Sequence, residues 1–190
     1  MKLSGAVLAG GKSRRMGRDK SRLRVAGEPF WRRQWRVLRE SGARPAVLVQ
    51  APGQRALTRR RSVRVLRDRF ENAGPLAGLH AALGGTRAGF VAVLAVDMPA
   101  IEPRWFARLL AQCSPGRGAV IRSKSGYEPL AAIYPREALV EAEARLTRGE
   151  YSLQHFVAAL VRSRRLRVLR ASAADLPQLA NWNTAADVRS

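Results

Sequence analysis

A glycine pair followed by a dense run of cations lies near the start of the chain: Gly10 and Gly11 precede Lys12, Ser13, Arg14, Arg15, Arg18 and Lys20. Paired glycines let the backbone turn sharply and bring its N–H groups close to a ligand. Several N–H groups facing one concavity bind phosphate well, and Arg14, Arg15 and Lys20 add charge that can reach phosphate oxygens. Two familiar phosphate-binding patterns do not fit. The P-loop requires glycine where Ala6 stands, and the dinucleotide fingerprint requires it where Lys12 stands. The loop is a nucleotide-phosphate candidate outside both templates.

Two carboxylates follow apolar runs. Asp97 closes the run 90–96 and is followed by Met98 and Pro99. A lone carboxylate at the end of a buried strand is costly unless something pairs with it. Magnesium does so naturally, through one or two carboxylates together with substrate phosphates and waters. The competing reading is an N-cap for a helix starting near Pro103, some distance away. Asp68 follows the run 63–67, where it could simply pair on the surface with Arg67 or Arg69. Cys113 is the sole cysteine, so neither an internal disulfide nor a cysteine-based zinc site is available, and a small apolar role near a helix end is expected. His80 and His155 fall in helix candidates and are read as ordinary packing or surface residues.

These groups must be positioned by short apolar runs alternating with longer amphipathic stretches. Strands are predicted at 3–9, 46–50, 63–67, 90–96, 119–122, 130–134 and 166–170, each bounded by glycine, proline or charge. Helices are predicted from Pro29 to about Ser41, with Trp31, Trp35 and Leu38 on one face, and from Pro75 through Leu83. Others start at Pro103, with Phe106, Leu109 and Leu110 inward, at Pro135 through about Arg148, and at Ser152 through Val161. Strands alternating with helices predict a three-layer α/β/α sandwich with a mostly parallel sheet. In such sheets ligands bind beyond the carboxyl ends of the strands, where the glycine loop, Asp68 and Asp97 all fall.

With 190 residues, 46% of them hydrophobic, the chain can bury one core, and a single domain spanning 1–190 is expected. The chain lacks an apolar run long enough to cross a bilayer and a signal-peptide pattern, so a cytoplasmic location is expected. The net charge of +21 favours anionic partners. Nucleic acid is one such class, but the arginines are scattered, and neither an aromatic-rich single-strand platform nor a recognised nucleic-acid motif is present. Nucleotides and phosphorylated cofactors suit the charge equally well.

The string Leu8-Ala9-Gly10-Gly11-Lys12-Ser13-Arg14-Arg15-Met16-Gly17-Arg18-Asp19-Lys20 resembles the signature of the molybdenum cofactor guanylyltransferase family, a branch of the sugar-nucleotide-pyrophosphorylase-like transferases. Gly11 is similar to the guanylyl branch, whereas the cytidylyl branch usually carries alanine there. Gly74-Pro75-Leu76-Ala77-Gly78, Asp97 and the closing Asn181-Trp182-Asn183-Thr184 extend the resemblance over nearly the whole chain; Ala185 departs from a proline in the family pattern.

The resemblance implies a Rossmann-like fold of the nucleotide-diphospho-sugar transferase type. It also implies transfer of GMP from GTP to molybdopterin carrying molybdenum, with magnesium as cofactor and pyrophosphate as leaving group. Leu8, Ala9, Gly10, Gly11, Lys12 and Ser13 would line the GTP site, with Lys20 and Arg14 on the phosphates and Asp97 on the metal. Asp68 would read guanine, whose N1–H and N2 amine form a donor pair that one carboxylate can accept. Gln50 stands where the family commonly has asparagine near the nucleotide, and Asn181 and Asn183 fall on the acceptor side or the metal's water shell. Glu128 and Pro129 are similar to a family segment on the acceptor side. Transient contact with cofactor-biosynthesis proteins and acceptor enzymes is implied as well. The alternatives are a transferase of the same fold using CTP or another phosphorylated acceptor, a basic nucleic-acid-binding protein, and a relative that only binds nucleotide or hands cofactor on.

Overall fold

The computed structural model describes residues 1–10, 24–25 and 27–180. Its main sheet contains β1 (Leu3–Leu8), β4 (Ala46–Gln50), β5 (Arg64–Arg67), β6 (Phe90–Ala95), β7 (Gly118–Ser123), β8 (Gly126–Tyr127), β9 (Ala131–Pro135) and β10 (Leu166–Arg170). β2 (Arg24–Val25) and β3 (Glu28–Pro29) form a separate small hairpin. The spatial order is β10-β7-β9-β6-β1-β4-β5, with β8 folded back on β7. β1 pairs in parallel with both β4 and β6, and β4 with β5. β9 runs against both β6 and β7, and β10 is parallel to β7.

Strict alternation along the strands gives the sheet two apolar faces. Leu3, Val7, Leu48, Ala92, Leu94, Ile121 and Ile133 meet α1 (Phe30–Glu40) and α3 (Pro103–Leu110) on one face. Ala6, Leu8, Val47, Val49, Val91, Val93 and Tyr134 meet α2 (Pro75–Gly84), α4 (Ala138–Thr147) and α5 (Leu153–Arg162) on the other. The result is the expected three-layer α/β/α arrangement. Phe30, Leu38, Phe106 and Leu109 on one side, and Leu76, Leu79, Phe156 and Leu160 on the other, are almost wholly excluded from solvent.

From β1 the chain moves outward to β4 and β5, then returns through α2 to β6 on the far side of β1. The two directions of winding part between β1 and β6. That split leaves a crevice at the carboxyl ends of these strands, the usual ligand position in an open α/β sheet.

Differences from the sequence-based expectation are local. Pro135 does not open a helix; it ends β9, paired with Phe90, and α4 begins at Ala138. The ladder continues through Arg136 N–H to Gly89 O, which holds this proline in the sheet. Leu110 is only partly buried against the core, while Phe106 and Leu109 are inward as expected. The β2–β3 hairpin and β8 were too short to leave a periodic signal. A 3-10 helix, Ala173–Leu179, closes the described chain. Cys113 lies just past α3, donates to Leu109 O, and has its thiol pushed up to about 11 by burial, in keeping with an inert small residue.

Candidate functional site

The carboxyl ends of β6, β1, β4 and β5 carry, in spatial order, Asp97, Gly10, the segment after Gln50, and Asp68. Of the residues expected to bind nucleotide, Leu8, Ala9, Gly10, Gln50, Asp68 and Asp97 are therefore on one edge. Gly11, Lys12, Ser13, Arg14, Lys20, Asn181 and Asn183 lie outside the described residues.

Gly10 follows the last two residues of the first strand segment, and both of those are held by the sheet. Ala9 N–H donates to Val49 O at 2.9 Å, and Leu8 O accepts from Val96 N–H at 3.2 Å. The Leu8 side chain is buried under α2, so only its backbone belongs to the site edge. A Cβ on Gly10 would sit 2.8 Å from the Ala51 nitrogen, closer than real Cβ atoms come to backbone. Gly10 thus lets the first loop and the β4–β5 loop touch. Gln54 spans the same junction: its Nε2 donates to Ala9 O and its Oε1 accepts from Ala51 N–H.

Gln50 is fully buried, and both ends of its amide are engaged. Nε2 donates to Arg55 O at 3.1 Å, and Oε1 accepts from Leu57 N–H at 3.3 Å. In this arrangement the amide shapes the 51–57 loop and is not presented to a ligand. The extra methylene relative to asparagine gives it the reach to do so.

Asp97 is half-buried, two residues beyond the end of β6. It is not the cap of the following helix, because α3 begins at Pro103 with Glu102 in the N-cap position. The turn carrying Asp97 is clamped from α1. Gln34, fully buried, donates through Nε2 to Ala95 O at 3.3 Å and to Met98 O at 2.5 Å, and Arg33 Nε donates to Pro99 O at 2.7 Å. Gln34 and Arg33 were missed from sequence. The available signal was an uncharged polar residue on the apolar helix face, three residues from Trp31 and four from Leu38.

Asp68 continues the edge after β5; its N–H donates to Gln50 O at 3.2 Å. Burial pushes its carboxyl above the usual aspartate range. Its Oδ1 is buried without a hydrogen-bond partner among the described residues. The pairing with Arg67 allowed by the sequence is not made, since that guanidinium donates to Ala51 O and Gln54 O. A half-buried, unsatisfied acceptor is expensive to keep unless a ligand supplies the donors. Gly74, at φ 65° and ψ −156°, then turns the chain into α2 through Pro75 at the first helical position. That backbone region belongs essentially to glycine.

Three strand spacings separate the edge positions of Asp97 and Asp68, roughly 14 Å at about 4.8 Å each. Gly10 and the β4–β5 loop lie between them. The edge therefore sets a metal-competent carboxylate at one end, backbone suited to phosphates in the middle, and a donor-seeking carboxylate at the other. No group of three or more His, Cys, Asp or Glu side chains suited to a metal ion occurs among the described residues. The donor set, a single Asp97, suits a cation that arrives on substrate phosphates rather than one caged by protein.

A doubly wound sheet with this division of groups defines a nucleotide-binding transferase architecture. Residues 5–168 match the MobA-like NTP transferase domain, and the chain belongs to that family. It is 55% identical over 188 residues to a protein of Opitutus terrae described as "Probable molybdenum cofactor guanylyltransferase", covering 97% of this chain and 92% of the relative. It is 34% identical over 160 residues to the "Molybdenum cofactor guanylyltransferase" of Syntrophotalea carbinolica, covering 83% and 74% respectively. Among solved structures, the molybdopterin-guanine dinucleotide biosynthesis protein A of Archaeoglobus fulgidus superposes with a TM-score of 0.73 at 26% identity, covering 100% of this chain and 95% of the other. A cytidylyltransferase of Thermus thermophilus, at 17% identity and a TM-score of 0.71 over 100% and 96% of the two chains, shares the fold. Among the described residues no helix is long and apolar enough to cross a membrane.

Proposed function

We propose that this protein, acting as a single domain, binds magnesium-GTP along the edge from Asp97 to Asp68. It then transfers GMP to the terminal phosphate of molybdopterin carrying molybdenum. An acceptor phosphate oxygen attacks the α-phosphorus, the bond from that phosphorus to the β-phosphate oxygen breaks, and pyrophosphate leaves with the electron pair. The attacking phosphate is already ionised at neutral pH, so no strong general base is needed, and catalysis rests on positioning and charge neutralisation.

The observation that carries this reading is the Oδ1 of half-buried Asp68, unsatisfied among the described residues, on the edge that also holds Asp97. Asp68 accepts the N1–H and N2 amine of guanine. Asp97, fixed by the Gln34 and Arg33 clamp, holds the magnesium; when bound, that ion neutralises charge on the phosphate oxygens. The backbone of Leu8, Ala9 and Gly10, continued by Gly11, Lys12 and Ser13, cradles the triphosphate. Lys20 stabilises charge at the α-phosphate, and Arg14 holds the β- and γ-phosphates. Asn181 and Asn183 attend the acceptor. The names of the relatives support both the nucleotide and the acceptor. The reaction suits the cytoplasm, with transient delivery to acceptor enzymes.

The test supplies purified protein with the molybdenum-bearing pterin, magnesium, and GTP, CTP or ATP in turn. Pyrophosphate release is expected with GTP and should fall by orders of magnitude in Asp97→Ala and Lys20→Ala. Unchanged rates in both variants would remove this mechanism.

A further inference from the structure

The second half of the same strand edge holds a pocket that the GTP reading does not use. It has a volume of about 300 Å³ and is lined by Ser123, Lys124, Ser125, Glu128, Leu176, Leu179 and Ala180. That size is at the lower end of small-molecule sites. Glu128 enters it from the turn before β9. Beside this turn, Ala95 N–H donates to Leu130 O at 2.8 Å, so Glu128 and Asp97 leave the sheet on the neighbouring strands β9 and β6 at the same edge. Along that edge the order is Glu128, Asp97, Gly10, Asp68, with Asp97 between the other two carboxylates.

Glu128 and Asp68 share an environment. Burial pushes both carboxyls above their usual range, although a Ser123 hydroxyl bonded to Glu128 works in the opposite direction. Neither forms an ion pair among the described residues, in a chain with 35 Lys and Arg against 14 Asp and Glu. Two half-buried carboxylates that form no ion pair among the described residues, even with Lys124 lining the pocket of Glu128, suit ligands that bring N–H donors.

The pocket wall is prebuilt. The 3-10 helix that carries Leu176 and Leu179 is fastened to α3 by Arg108, whose two nitrogens reach Asp175 at 2.7 and 3.0 Å. Ser172 completes a capping box with Asp175, and Gln178 Oε1 accepts from Glu102 N–H. Two leucines thus offer an apolar wall beside a carboxylate, an arrangement for a flat ring with a donor edge.

Resting on the GMP-transfer reading, we infer that Glu128 recognises the pterin ring of the acceptor through its 2-amino-4-oxo edge. That edge presents an amine and a ring N–H, the same donor pair by which guanine faces Asp68. The dinucleotide formed carries such an edge at both ends, and the strand edge carries a desolvated carboxylate for each. Glu128 thereby selects the acceptor, as Asp68 selects the nucleotide.

The test compares wild type with Glu128→Gln and Glu128→Ala. Binding of free pterin and of lumazine, which has a carbonyl in place of the 2-amine, is followed by ring fluorescence; magnesium-GTP binding is measured by calorimetry as a control for folding. Wild type is expected to favour pterin over lumazine by about tenfold or more, because a site built to accept the amine leaves its carboxylate facing an acceptor oxygen in lumazine. Both variants should lose that preference. They should also raise the acceptor KM by about tenfold or more while leaving GTP affinity in place. An unchanged pterin-to-lumazine ratio, or an equal loss of GTP affinity, overturns the assignment. Product analysis separates the two readings. If wild type makes no dinucleotide, GMP transfer falls and the Glu128 role with it; if it makes dinucleotide and the variants keep ratio and KM, only the Glu128 role falls.

Discussion

Replacing Gln50 with leucine separates a ligand contact from a structural brace. The side chain is fully buried, and its amide satisfies Arg55 O and Leu57 N–H. Leucine nearly conserves volume, so the cavity penalty is small and the loss is that of two hydrogen bonds. Arg55 is exposed, so its carbonyl can turn to water; the Leu57 amide is less able to. At about 0.5–1.5 kcal/mol per bond, the substitution should cost roughly 1–3 kcal/mol. For a chain of this length that lowers the melting temperature by about 2–12 °C. The assay is thermal unfolding of the ligand-free protein beside calorimetric titration with GTP. A residue that only contacts nucleotide would leave the ligand-free melting temperature unchanged and weaken GTP. That outcome would refute the bracing role, whereas a destabilised protein with its GTP affinity little altered supports it.

Gly10→Ala places a Cβ 2.8 Å from the Ala51 nitrogen, and backbone cannot step aside as a flexible side chain can. A loss of about 1–3 kcal/mol of stability is expected, together with weaker GTP binding; calorimetry and melting curves showing neither would contradict the close packing of the two loops. Burial alone would raise the Asp175 carboxyl, but Arg108 and Ser172 hold it below the usual range. Its folded value is depressed, so its contribution is present above the unfolded value of about 3.9 and is lost as pH falls through the folded one. The stability difference between wild type and Asp175→Asn, from urea titrations across pH, should therefore be largest near neutrality and shrink in acid. A difference independent of pH would count against the ion pair.

Much of this architecture was legible because apolar runs bounded by glycine, proline or charge have few other uses. Ranges 46–50 and 166–170 coincide with β4 and β10, and Pro75 and Pro103 each open a helix. Strand direction was not legible: the apolar run of β9 does not reveal that it lies antiparallel between β6 and β7. Pro135 shows the related limit, since a proline that could start a helix can equally end a strand. At the site, Asp97 stood out because a carboxylate rarely ends a buried run, whereas Asp68, after the half-exposed edge strand β5, stood out only through the family resemblance. Their surroundings did not. The choice of Arg67 to bind loop carbonyls, the Gln34 clamp under Asp97 and the Gln54 bridge to Ala9 are long-range contacts that no local spacing encodes. Ser172 and Asp175, three residues apart, form a capping box whose partner Arg108 likewise emerges only in three dimensions.

The division of labour along the strand edge is tested most directly by calorimetric binding of magnesium-GTP and magnesium-CTP to wild type and Asp68→Asn. The amide offers N–H groups to guanine's donor edge where the carboxylate offered only acceptors. GTP affinity should fall about 10- to 100-fold, the loss expected for hydrogen bonds to a charged group, and CTP should be unaffected, so selectivity collapses. A GTP-to-CTP ratio unchanged by the substitution would show that the base is read elsewhere.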